Sequence, residues 1–288
     1  MKRIILFVLT NLAVLTMITI LTQLLGVNNY LQANGINYSS LLIFSLIVGF
    51  AGSIFSLLIS KQMAKWSMGL KPLSGNESSD ATWLVSTINR MSMQLGIKMP
   101  EVCIYESDDK NAFATGPSKN NSLVAVSTGL LNGMNKKEVE AVLGHEMSHI
   151  VNGDMVTMTL LQGVLNTFVV FISRVLTFAI SSRNENSSSS GMQFLVMMIL
   201  QTTLGILASI IVAWYSRRRE FVADKGGGSL SSKENMINAL KRLGGQNEDL
   251  PNENLKAFGI SGKTNSFMNL FASHPPIEER IKALQNNI

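Results

Sequence analysis

Along the chain, long uncharged apolar runs alternate with stretches where apolar residues recur every second or every third to fourth position. Four runs are long enough, at 1.5 Å per helical residue, to cross a bilayer core of roughly 30 Å. They are Ile4–Leu25, Ser40–Ser60, Met155–Ile180 and Met192–Tyr215. The first follows Lys2 and Arg3 and is not followed by a small-x-small cleavage site, which predicts an uncleaved anchor. The second carries Ser45, Gly49 and Ser53 four apart, a face suited to packing on another helix. The third contains Gln162, Asn166 and Arg174, polar groups expected to face protein or water rather than lipid. The fourth ends in Trp214 and Tyr215, an interfacial pair, followed by Arg217, Arg218 and Arg219.

Between the second and third runs the period changes. Residues 75–79 read as a linker, and Asp80 as the cap of a helix running through Trp83, Ile88 and Met91 to Gly96. Val102–Tyr105, Asn111–Gly116 and Ser122–Ser127 read as short strands, the last two joined by a polar turn. Asn135 followed by Glu138 is a capping-box pattern that opens a helix through Val151. The expected fold is an α+β membrane protein, mostly helical. Four transmembrane helices accompany a cytoplasmic domain in which the strands of a small β-sheet precede a helix carrying His145-Glu146-Met147-Ser148-His149, a zincin-like layout. Its parts are an N-terminal transmembrane hairpin (1–61), a zincin-like region (62–154), a second transmembrane hairpin (155–216) and a C-terminal part completing a metal site (217–288).

Composition agrees. Of 288 residues, 46% are hydrophobic and only 15% charged, with mean hydropathy +0.24, too apolar for an ordinary soluble enzyme. The net charge of +5 is the excess of basic residues flanking the apolar runs. Basic residues lie before the first run, after the second and after the fourth, whereas the opposite side has only Arg183. That bias predicts both termini and the metal-binding region on the cytoplasmic side. No basic stripe interleaved with aromatics is present, so no nucleic-acid partner is expected. Cys103 is the only cysteine, which excludes an intramolecular disulfide and reads as a small core residue.

The chemistry concentrates in His145-Glu146-Met147-Ser148-His149, which holds two of the three histidines. Residues four apart share a helix face, so both imidazoles can reach one zinc ion. Glu146 lies beside them, where a carboxylate can serve as general base for a zinc-bound water. A catalytic zinc usually takes three protein ligands. Asn152 and Met155 stand where a metzincin has glycine and histidine. Asp154 falls off the metal face, which suggests a helix-end role or one behind a ligand. His274 and Glu220 remain, and Glu220 is favoured. If the third and fourth runs pair as a hairpin, His149 and Glu220 extend about 8–9 Å beyond them on the same side. Asp224, one turn further, then matches His145 and can accept its other N–H. His274 precedes a helix from Ile277 to Leu284, where it can cap or pack, and a histidine there is also a natural donor to a developing oxyanion. Asn111, Ala112, Phe113 and Ala114 form a strand of mostly small residues whose edge an extended peptide could join.

These motifs together resemble the HtpX family of membrane-bound zinc endopeptidases, relatives of the CAAX prenyl proteases. The resemblance spans nearly the whole chain. It rests on the first two apolar runs, Asn111-Ala112-Phe113-Ala114-x-Gly116, His145-Glu146-x-x-His149 with Gly153-Asp154, Arg219-Glu220-x-x-Ala223-Asp224, and Ser273-His274-Pro275-Pro276 with Arg280 and Ile281. It implies one Zn2+ per chain on His145, His149 and Glu220, Glu146 as base and Asp224 behind a ligand. It also implies His274 and Arg280 near the active site, and quality control of misfolded membrane proteins in the bacterial cytoplasmic membrane. The alternative from another class is a non-catalytic membrane-bound zinc scaffold or chaperone. Glu146 argues against it, because a structural site needs no adjacent base.

Overall fold

The computed structural model describes residues 37–181, 190–244, 272 and 274–286. The first apolar run, Ile4–Leu25, and the polar loop around Arg183 lie outside the described residues. The order is α1 (Tyr38–Met68), β1 (Lys71–Pro72), α2 (Ser79–Leu95), β2 (Glu101–Tyr105), β3 (Ala112–Ser118) and β4 (Asn121–Ser127). It continues with α3 (Thr128–Gly133), α4 (Lys136–Asn152), α5 (Asp154–Ser181), α6 (Ser190–Leu230), α7 (Lys233–Gly244) and α8 (Ile277–Gln285). Two units result. Among the described residues, 37–56 with 157–181 and 190–212 form an apolar unit, and 57–156 with those from 213 onward form a second, mixed unit.

Among the described residues, α1, α5 and α6 are the three helices long and apolar enough to cross a membrane. In the apolar unit, α1 buries Ser45, Gly49 and Ser53, the small residues spaced four apart. A Cβ on Gly49 would lie 2.7 Å from Thr167 Cα, and one on Gly163 would lie 2.7 Å from the Phe50 ring, so the two backbones approach closely. The polar groups of α5 turn toward protein. Gln162 donates to Asn166 at 2.9 Å, and Asn166 donates to Ser53 Oγ at 3.4 Å. The Arg174 guanidinium stands 4.4 Å over the Phe44 ring, a cation–π contact. Ile47, Phe55 and Leu58 point outward, as lipid contact requires.

The mixed unit begins on α1 itself, which continues past the expected end at Ser60 to Met68. Lys61 and Lys65 lie within the helix, and both reach Glu101 at the start of β2, at 3.5 and 2.5 Å. The cap of α2 also differs from expectation. Ser78, in extended conformation, accepts the Ala81 N–H at 3.1 Å, and Asp80 sits inside the first turn. Gly96 ends the helix with φ 62°.

The three expected strands form, and β1 adds a fourth that periodicity could not reveal in two residues. The sheet order is β1-β2-β4-β3, so β3 is an edge strand among the described residues. β2 and β4 run parallel, with Cys103 opposite Ala125, whereas β3 and β4 form an antiparallel hairpin with Ala114 opposite Val124. On one face, Val102, Val124 and Val126 meet Leu84, Ile88 and Met91 of α2, Leu143, Met147 and Ile150 of α4, and Met236 and Leu240 of α7. Burying each such side chain stabilises by about 1.5–3 kcal/mol before entropy is charged against it. The other face holds Cys103, Tyr105, Leu123 and Ala125. Burial pushes the Cys103 thiol up to about 11, so it behaves as an apolar core residue.

Candidate metal centre

The metal helix is set at both ends by its sequence. Asn135 Oδ1 accepts the Glu138 N–H at 3.0 Å and Glu138 Oε2 accepts the Asn135 N–H at 3.1 Å, closing the expected capping box. Gly153, at φ 65°, ends α4 in the left-handed region. The chain turns there and starts α5 at Asp154. That turn brings Asp154 back toward α4, where helical spacing alone would carry it away.

Helix α6 supplies the opposing wall. It is one continuous helix of 41 residues, and three successive glycines, Gly226, Gly227 and Gly228, lie near its end. Each costs roughly 1 kcal/mol against alanine in a helix interior, so they mark a place where another backbone comes close. A Cβ on Gly227 would stand 2.9 Å from Ala141 O and 3.0 Å from His145 N. One on Gly144 would stand 3.1 Å from Gly227 Cα. With α6 pressed this tightly on α4, the carboxylates one and two turns earlier, Asp224 and Glu220, arrive at the two histidines.

Three ligand atoms converge. Nε2 of His145 and Nε2 of His149 are 3.1 Å apart. Glu220 Oε2 lies 3.5 Å from His145 Nε2, and Oε1 lies 3.3 Å from His149 Nε2. Ligands held 2.0–2.2 Å from a tetrahedral zinc stand about 3.3–3.6 Å apart, so this set fits one ion of that size. The polar atoms argue the same way. Asp154 Oδ2 is 2.7 Å from His149 Nδ1. An ionised carboxylate only accepts, so in the neutral imidazole that a metal requires Nδ1 carries the proton and the Nε2 lone pair faces inward. Glu220 is 3% exposed, and its Oε2 has no aligned hydrogen-bond donor among the described residues. Inward-facing lone pairs beside such an oxygen call for a cation.

Behind each histidine stands an aspartate. Asp224 Oδ1 is 2.9 Å from His145 Nδ1, an ion-pair contact rather than an aligned hydrogen bond. Asp224 is 1% exposed and accepts two bonds from Arg280, from Nε at 2.8 Å and Nη2 at 2.6 Å. Arg280 Nη1 is also 3.4 Å from Glu220. Asp154 in turn accepts from Arg219. His274 lies at the rim with its side chain 65% exposed and Nδ1 2.8 Å from Glu220 Oε2.

The titrating groups follow from these contacts. Burial pushes His145 down, but its pairings with Asp224 and Glu220 outweigh it and leave the imidazole raised. His149 behaves alike: burial opposes Asp154 and Glu220 and loses, and the group rises to about 10. Glu146 is raised because burial penalises its charged form, against a downward pull from the two imidazoles and from the Ala114 amide. Burial lowers Arg280, and the Asp224 contact more than restores it.

The structure thus gathers His145, Glu146, His149, Glu220, Asp224, His274 and Arg280 in one place, with Ala114 of the edge strand against Glu146. Arg280, expected as an oxyanion donor, is committed to Asp224 and Glu220. Two features escaped the sequence reading. The partner of Asp154 is Arg219, 65 positions away, and no spacing rule links them. The signal for the helix crossing was in plain view, as three glycines inside a helical stretch.

Comparison with known proteins places this arrangement. The model for peptidase family M48 matches residues 78–288. Along its length the chain is similar to the protease HtpX homologues of Paracidovorax citrulli, 57% identical over 99% of both chains, and Polaromonas naphthalenivorans, 55% identical over 99% of both. Its fold is similar to the crystal structure of S. mikatae Ste24p, with TM-score 0.63 at 21% identity, spanning 98% of this chain and 66% of that one. Matched across most of its sequence by the family, and along its full length by relatives of more than half identity, this chain belongs to peptidase family M48 and is a membrane metalloprotease.

Proposed function

We propose that the chain is a zinc-dependent endopeptidase of the bacterial cytoplasmic membrane, hydrolysing peptide bonds of misfolded or damaged membrane proteins on the cytoplasmic side. The observation that carries the reading is the convergence of His145 Nε2, His149 Nε2 and the Glu220 carboxylate, with Glu146 beside them. One zinc per chain would be held by those three residues, supplying a charge that polarises the scissile carbonyl and acidifies water. Glu146 receives a proton from the attacking water on its carboxylate and delivers it to the leaving amine nitrogen. Burial raises its basicity toward the working range, which suits both transfers. His274, whose Nδ1 lies 2.8 Å from Glu220 Oε2 at the rim of the site, is the group placed to offer a ring N–H to the developing oxyanion. Arg280 acts through Asp224, fixing the carboxylate that backs His145.

The edge position of β3 supports the assignment of Asn111, Ala112, Phe113 and Ala114 to substrate binding. Alternate residues of a strand direct their backbone groups the same way. The Ala114 amide is turned to Glu146, so Ala112 presents its backbone on the same open side. A peptide added there is aligned by main-chain bonds that ask little of its side chains, as a protease of unfolded segments requires. The basic flanks of the apolar runs support a cytoplasmic site.

Glu146→Gln tests the reading. Purified in detergent, the variant should keep one zinc per chain while cleavage of an unfolded model protein falls about 10²–10⁴-fold, the usual contribution of a general base. Cleavage by the variant equal to wild type would remove Glu146 from the reaction.

A further inference from the structure

We infer that Arg219 and Asp154 form a positioning pair that orients His149, so that the same turn of α6 that brings Glu220 also aims the second histidine. The inference rests on the metal reading of His145, His149 and Glu220 and concerns a residue to which that reading gives no part. Arg219 immediately precedes Glu220, and their side chains take different paths. Glu220 reaches the two imidazole Nε2 atoms. Arg219 Nη2 donates to Asp154 Oδ1, and the other oxygen of Asp154 accepts from His149 Nδ1 at 2.7 Å.

All three groups are shielded. Asp154 is 6% exposed, and the side chains of Arg219 and His149 are largely covered. A buried carboxylate needs its oxygens paired, and Arg219 pairs with one oxygen of Asp154 while His149 pairs with the other. Held in that place, Asp154 accepts the Nδ1–H of the neutral His149 ring and leaves the Nε2 lone pair turned to the metal position. The other histidine has the same design, with Asp224 between His145 and Arg280. The arginine of the second relay comes from α8, remote in sequence. The arginine of the first sits beside a ligand, so any movement of that turn of α6 disturbs Glu220 and His149 together.

The test is zinc affinity, read by competition against a chelator of known affinity, on full-length protein in detergent. Arg219→Gln should weaken zinc binding about 10–100-fold, the usual effect of removing support behind a ligand. Arg219→Lys, which restores charge without the fork, should recover part of that loss. Asp154→Asn should weaken binding similarly, and adding Arg219→Gln to it should weaken binding no further, because Arg219 works through Asp154. Melting of the chelated proteins separates positioning from mere support. A structural role lowers the melting temperature of the metal-free form and leaves affinity alone. If wild type holds one zinc and both Arg219 variants hold it as tightly, the pair has no positioning role. If wild type holds none, the metal reading fails and this inference with it. Should Arg219→Gln not fold, the Lys and Asn variants alone decide the matter.

Discussion

Helix backbones press together at two places, and the comparison separates packing from chemistry. In the apolar unit, Gly49 of α1 lies against Thr167 of α5, and Gly163 against Phe50. In the mixed unit, Gly144 of α4 faces Gly227 of α6, and Gly226 faces Ser148. Both crossings use small residues at four-residue spacing or in succession. At the first, the next turns carry Ser45, Ser53 and Asn166, which make ordinary hydrogen bonds. At the second, the next turns carry Asp224 and Glu220 on one side and His145 and His149 on the other. A shift of half an ångström loosens packing at the first crossing. At the second it exceeds the roughly 0.2 Å tolerance of a metal–ligand distance. A small-residue stripe therefore takes its meaning from the residues one turn away.

The strongest way to break the comparison is Gly227→Ala. Alanine alone would favour the helix by about 1 kcal/mol. Here its Cβ meets backbone at 2.9 and 3.0 Å, which cannot give way without moving α6 off α4. Bound zinc should drop well below one per chain and cleavage should vanish, measured by metal analysis and turnover of an unfolded protein. Full zinc in this variant would mean the crossing does not set the site.

Gly49→Ala should act on stability alone. Overpacking of this kind costs about 1–3 kcal/mol. The melting temperature should fall by several degrees while zinc content and cleavage at 25 °C stay at wild-type levels. Loss of zinc here would erase the distinction between the crossings.

The smallest effect is one of pH. In metal-free protein His149 is raised to about 10 by Asp154 and Glu220, and His145 is raised as well. A raised group contributes stability that is fully present below its unfolded value near 6.5 and is lost as pH climbs through the folded value. Glu146, also raised, works in the same direction. Chelated wild type should therefore melt at lower temperature as pH is taken from 6.5 to 10. The Gly49→Ala difference should stay constant across that range, since among the described residues the added Cβ meets only Thr167. A pH-independent melt of the chelated protein would contradict the pairing of the imidazoles.

Much of this was legible in the sequence because it is local. Asn135 and Glu138 three apart, His145 and His149 four apart, Glu220 and Asp224 four apart, and the alternation in the strands are statements about one element each. The carboxylate expected behind His145 came from helix rise together with an assumed pairing of the third and fourth runs, and Asp224 Oδ1 lies 2.9 Å from His145 Nδ1. What escaped the sequence depends on pairing distant elements. Nothing near Lys61 and Lys65 shows that Glu101, 36 to 40 positions on, pairs with both. The parallel pairing of β2 with β4 depends on a hairpin folding to the outside. Ser78 displaced Asp80 as cap because both can cap, and backbone geometry decides between them.

The division of the metal site along the chain has a consequence for biosynthesis. His145 and His149 leave the ribosome before α5, and Glu220 follows only after α5 and the apolar part of α6 have been made. A nascent chain therefore carries the two histidines and Glu146 but lacks Glu220, the third proposed ligand, until both of those helices exist. The hydrolytic centre cannot close ahead of them, so a half-made copy of this protease is unarmed while it is still in the company of unfolded polypeptide.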